Sequence, residues 1–214
     1  MGTPAAQAPG LMPGKPDIDL AVRALPLLCW DGFGIVEARA WSTRRLVVCA
    51  LDPAEHRRRQ AEGMLPAADP FLLRCLMAQD PRFVLAPPPV RIVGAIAVRR
   101  TWKAAIANLA GFAAFGALAA VLPAGAADRL DVAAEAPVHG IGVIAADVAG
   151  TTRLVHRVGA HTAAARTWVH RLIEEIVYDA LLAPAGGPDP ASGATAPPSS
   201  AGSLALPTRS SDRA

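Results

Sequence analysis

Two clusters of basic residues are the best candidates for a binding surface. Guanidinium and ammonium groups contact phosphate oxygens, so closely spaced cations are typical of surfaces that bind nucleic acid. The alternative interpretation is a solvated helix face, which also carries runs of charge. The candidate nucleic-acid-binding residues are Arg57, Arg58, Arg59, Arg99, Arg100 and Lys103.

The carboxylates and histidines are too scattered to form a recognisable catalytic arrangement. Glu37 and Arg39 form an acid-x-base pair on one face of a predicted strand, which can hold a metal and a phosphate when a second carboxylate lies nearby. Asp31 is too close in sequence to come from a separate strand, and a cross-strand surface pair is the alternative. An enzyme acting on small molecules would use Glu37, His139 or His156, and nothing in the sequence brings these three together.

The sequence lacks the short motifs of common catalytic and cofactor sites. A Walker loop, GxGxxG, GxSxG and HExxH are all missing. Cys29, Cys49 and Cys75 form no CxxC or Cys/His pattern, which favours buried thiols in a reducing compartment. The sequence therefore predicts no catalytic residue, no metal, no cofactor and no small-molecule ligand, and it favours a cytoplasmic location.

Composition allows one domain with a substantial core. The chain has 214 residues, of which 52% are apolar but only 5% aromatic, and its net charge of +3 permits contact with nucleic acid or anionic lipid without requiring it. Pro, Gly, Ser and Ala dominate both ends. We expect a disordered lead at 1–16, a single domain at 17–183 and a disordered tail at 184–214.

Hydrophobic periodicity and turn residues predict the elements that must position these side chains. The pattern favours an α/β (α+β) domain with a central mixed sheet flanked by helices. Predicted strands cover 34–40, 45–51, 82–86, 92–98, 115–122, 138–145 and 152–158. Predicted helices cover 18–28, 101–111, 126–136 and 161–182, and shorter ones begin at Asp52-Pro53 and Asp69-Pro70.

The segment 92–123 has two interpretations. One is a strand, a helix capped by Thr101 and a second strand, with Gly111 ending the helix. The alternative is a single-pass membrane protein with its span at about 104–123, because 104–122 carries no charge and basic residues precede it. Its many alanines and the breaks at Asn108 and Gly111 favour the first interpretation.

The order of elements across about 80–158 resembles the restriction-endonuclease-like, PD-(D/E)XK, nuclease fold, in particular its small actinobacterial members. The resemblance implies an apolar strand ending in acid-x-Lys, a helix opening near a Trp and carrying a Gln, and then apolar strands separated by a short helix and a Gly turn. The matching pieces are 93–98, Trp102, Asn108 at the Gln position, 120–123, 140–144, Gly150 and 153–155.

The chain departs from that pattern where the family's chemistry should lie. Its acid-x-Lys positions hold Ile96, Ala97, Val98 and Arg99, and Asp80 could stand for an upstream aspartate. One carboxylate cannot hold the Mg²⁺ that such a nuclease needs. The resemblance therefore implies a catalytically inactive, DNA-binding protein with Asp80 and Asn108 as remnants of the site, and it leaves a homodimer open.

Overall fold

The computed structural model describes residues 15–41, 43–161 and 165–183. All of them belong to one unit, which ends at Ala183. The predicted lead, apart from its last two residues, and the predicted tail lie outside the described residues.

Six strands form one mixed sheet in chain order: β1 (Gly34–Ala40), β2 (Thr43–Leu51), β3 (Val90–Val98), β4 (Ala117–Pro123), β5 (Ile141–Ala146) and β6 (Thr152–His156). The strand pairs β1–β2, β2–β3 and β5–β6 are antiparallel, and β3, β4 and β5 run parallel. The predicted fold class, a central mixed sheet flanked by helices, is confirmed.

Seven α-helices complete the described chain: α1 (Lys15–Ala24), α2 (Pro53–Ala61), α3 (Pro70–Gln79), α4 (Trp102–Leu109), α5 (Ala124–Ala127), α6 (Leu130–His139) and α7 (Trp168–Leu182). Helices α2 and α3 begin where the two Asp-Pro signals predict. The Asp52 carboxylate accepts from the backbone N–H groups of residues 54 and 55, and Asp69 accepts from that of Leu72. Each cap satisfies helix donors that have no partner within the helix.

The segment 92–123 forms the predicted strand, helix and strand. Thr101 caps α4, its side chain accepting from the N–H of Ala104 at 3.3 Å. Residues 104–123 are divided between α4, a 3-10 turn at Ala110–Phe112 and β4. Among the helices of the described residues, none combines the length and the apolar character needed to cross a bilayer.

Two apolar clusters bury the two faces of the sheet. One face packs against α4 to α7 through residues such as Trp102, Phe112 and Ile173. The other lies under α1 and the segment that follows it, including Trp30. Cys49 of β2 belongs to the first cluster, and burial raises the pKa of its thiol to about 11, so the thiol stays protonated at neutral pH.

Several predicted boundaries are wrong for identifiable local reasons. Residues 82–86 form no strand, because Pro81 opens a 3-10 turn at Pro81–Val84 that the Asp80 side chain caps. The predicted helix 126–136 is two helices, α5 and α6, and β5 starts at 141 because α6 runs on to His139 and ends at Gly140 with φ 64°. Helix α7 begins at Trp168 instead of 161, because Thr167 and His170 form a capping box there.

Candidate nucleic-acid interface

The register of β2 against β3 brings two arginine pairs to one end of the sheet. Leu46 of β2 pairs with Ile96 of antiparallel β3, so Arg44 and Arg45 at the start of β2 lie level with the last residues of β3, which Arg99 and Arg100 follow. Strand β1 ends at the same level, because Ala40 pairs with Thr43. We call this cluster the basic end, and its cations are Arg39, Arg44, Arg45, Arg99, Arg100 and Lys103.

Arg45 is buried at the basic end without a carboxylate partner among the described residues. Its side chain donates from Nε to the carbonyl oxygen of Asn108 and from Nη1 to that of Ala40, both at 2.9 Å, and Nη2 has no hydrogen-bond partner there. Burial lowers the pKa of Arg45. The C-terminus of α4, where Asn108 lies, favours a positive charge, but an isolated buried cation is costly. Arg45 is therefore suited to a further anionic partner.

Arg100 and Lys103 are exposed and line a groove of about 760 Å³ between the start of α4 and the start of α6. The groove also contains Arg129, which pairs with Asp131 at 3.0 Å, and Glu135, which accepts from Nε1 of Trp102 at 2.8 Å. The described residues that line the groove therefore include three cations and two carboxylates, which leaves one positive charge in excess.

The predicted cluster at 57–59 lies at the other end of the sheet. Helix α2 follows Leu51, which pairs with Val90 at the start of β3, so the length of β3, about 26 Å, separates it from Arg99. The two predicted clusters do not form a single patch. Arg57 is exposed on α2.

Arg59 is buried, whereas the sequence predicts that it belongs to an exposed binding surface. Its side chain is 1% exposed and makes two hydrogen bonds to the Glu175 carboxylate, at 2.8 and 2.9 Å, and one to Glu55. Glu55 and Arg59 are four residues apart and so share the helix face that meets α7. Arg58 binds Glu55 and Glu62. Arg59 is therefore a buried structural cation and does not reach a ligand at the surface.

The Arg58 hydrogen bond lowers the pKa of Glu55 to about 2, against the effect of burial. A carboxyl whose folded pKa lies below its unfolded value of about 4.5 stabilises the fold above pH 4.5, by up to about 3 kcal/mol, and loses that effect as the pH falls toward 2. We expect Glu55→Gln to be less stable than the unaltered protein at pH 7, with a difference that shrinks at pH 3. Urea unfolding of both proteins at the two pH values measures this stability difference. A difference that does not change with pH would contradict the lowered pKa of Glu55.

Asp80 and Asn108 do not lie together. Asp80 is exposed, pairs with Arg82 at 3.0 Å and lines a cavity of about 550 Å³ beside Arg58. Asn108 is buried in α4 and donates to the carbonyl oxygen of Arg44 at 3.3 Å. In the part of the chain that the structure describes, no three His, Cys, Asp or Glu side chains are placed to hold a metal ion.

The alternative enzyme residues are also separate. Glu37 pairs with Arg44 across β1 and β2 at 3.3 Å, which confirms a cross-strand pair. His156 lies on β6 at the opposite edge of the sheet, about five strand spacings or 24 Å away. His139 is exposed at the end of α6.

Sequence reasoning missed Arg44, Arg45 and Trp41 as parts of the candidate site. An arginine pair at the start of one strand and a second pair at the end of the antiparallel strand beside it could have revealed the basic end, had their pairing been recognised. Comparison of the chain with protein-family models, curated proteins and solved structures gave no match.

Proposed function

We propose that the protein binds DNA through the basic end of its sheet and does not cut it. The observation that carries the proposal is the register of β1, β2 and β3, which brings the arginines at the end of β1, at the start of β2 and just after β3 to one end of the sheet, where α4 with Lys103 begins. Phosphate contacts supply most of the affinity of a non-specific DNA-binding protein. The basic end suits a polyanion better than a single small anion, because its cations extend across several strands.

The order of elements from β3 to β6 supports the nuclease-like part of the proposal. A strand, a helix opening at Trp102, a parallel strand, short helices and a final strand pair follow one another as the resemblance implies. Where such a nuclease has an acid and a lysine, this chain has Ala97 of β3, which is 1% exposed inside the apolar cluster, and Arg99 just after β3. An arginine cannot act as a general base at neutral pH. Binding without hydrolysis is the activity that this set of side chains supports.

The test is fluorescence anisotropy of a labelled DNA duplex at 50 and 200 mM salt. We expect binding that weakens steeply with salt, and Arg100→Ala combined with Lys103→Ala should lower the affinity at 50 mM by about tenfold or more. The slope of log affinity against log salt should fall by about 2, because each lost phosphate contact removes roughly one unit. Incubation of the duplex with Mg²⁺ and the pure protein should leave it intact.

The matched control is Arg57→Ala combined with Arg82→Ala. These two arginines are exposed, and their removal changes the net charge by the same amount at the opposite end of the sheet. The control should bind DNA almost as the unaltered protein does. Equal losses in both double variants would contradict a local interface, and metal-dependent cutting would contradict the non-catalytic part.

A further inference from the structure

Trp41 occupies a backbone conformation that its side chain disfavours. It lies between Ala40 and Thr43, which pair with each other, and its φ is 49°. Tight hairpin connections with positive φ favour Gly, Asn or Asp, because a bulky side chain is strained in the left-handed region. Trp41 is nevertheless 51% exposed, so burial of the indole compensates for only part of this strain.

The neighbours of Trp41 hold the indole in a defined position. Its ring lies 5.5 Å from that of Phe115, and Phe115 in turn packs edge-on against His170 at 5.0 Å. The guanidinium carbon of Arg45 lies 5.8 Å from the centre of the indole ring. A supported, half-exposed aromatic ring therefore lies beside a buried cation whose Nη2 has no described hydrogen-bond partner.

We propose that Trp41 stacks on an unpaired base and that Arg45 binds the adjacent phosphate, so that the ligand of the basic end is single-stranded nucleic acid. This inference rests on the proposed function and specifies its ligand. Stacking on an aromatic side chain requires a free base face, which a duplex offers only at its ends. A base stacks on the indole while Arg45, Arg99 and Arg100 contact the backbone around it.

The experiment measures the affinity of the protein for two ligands at equal salt. One is a fluorescein-labelled 15-nucleotide oligothymidine, and the other is the duplex that this strand forms with oligoadenosine. We expect the unaltered protein to bind the single strand more tightly. Trp41→Asn should weaken single-strand binding about tenfold and leave duplex binding within about twofold, because one stacked base is lost. Trp41→Phe should keep most of the affinity, and we expect the oligonucleotide to quench its tryptophan fluorescence less than that of the unaltered protein, because three tryptophans remain.

Trp41→Asn also controls for folding, because Asn tolerates the left-handed backbone. Its far-ultraviolet circular dichroism and cooperative unfolding should match those of the unaltered protein. Duplex preference, or unchanged single-strand binding by a folded Trp41→Asn, overturns the inference. If Arg100→Ala combined with Lys103→Ala lowers the affinity about tenfold or more in that case, the proposed function stands without this inference. Failure of the unaltered protein to bind either oligonucleotide overturns the proposed function and the inference together.

Discussion

Glu175→Gln is expected to lower the free energy of unfolding by roughly 3–5 kcal/mol, the range for breaking a buried ion pair from one side. Glu175 is fully buried, accepts two hydrogen bonds from Arg59 and one from the backbone N–H of Ala67, and lies 3.0 Å from Nε of Arg171. The amide keeps the size of the side chain but removes its charge. The buried guanidinium groups of Arg59 and Arg171 would then lose a negative charge that offsets their own. Urea unfolding at pH 7 measures the resulting loss of stability.

The matched control is Glu62→Gln, which makes the same chemical change at an exposed position just after α2. Glu62 is 49% exposed and pairs with the half-exposed Arg58, and such surface pairs contribute at most about 1 kcal/mol. The control should unfold at nearly the same urea concentration as the unaltered protein. A similar small loss for Glu175→Gln would mean that the buried pair with Arg59 contributes little, contrary to its geometry.

Local signals in the sequence predict much of the fold. Asp-Pro pairs fix the starts of α2 and α3, and the period-two pattern of 34–40 gives β1 at its observed bounds. These elements can be predicted from the sequence because the contacts that determine them join residues only a few positions apart. The strand predicted at 82–86 fails for the complementary reason: its apolar residues fit a strand, but Pro81 and the Asp80 cap favour a 3-10 turn.

The candidate site was harder to predict because it depends on contacts between distant residues. Arg59 shares a helix with exposed Arg57, and only the packing of α2 against Glu175 of α7 decides that Arg59 is buried. Arg44 and Arg99 are 55 positions apart in the chain, and only strand register makes them neighbours. A one-residue slip would turn every side chain of β2 to the other face, so charge clusters in the sequence could not by themselves locate the interface.

Gly94→Ala is expected to destabilise the fold by more than about 3 kcal/mol, beyond the usual range for overpacking. A Cβ on Gly94 would lie 2.1 Å from the carbonyl oxygen of Ala117, its partner in β4, and 2.9 Å from the ring of Trp30. The first clash is with backbone, which cannot rotate away. Strand β3 would have to separate from β4, and thermal unfolding should show a large fall in Tm or no cooperative transition.

Gly34→Ala provides the comparison, because its added methyl would meet only the carbonyl oxygen of Cys49, at an ordinary 3.8 Å. It should change stability by less than about 1 kcal/mol, since Ala is no worse than Gly in a strand that has room for it. Equal effects of the two substitutions would contradict the close β3–β4 pairing. They would also weaken the case for the basic end, because β3 carries Arg99 and Arg100 to their positions only if it is held between β2 and β4 in this register.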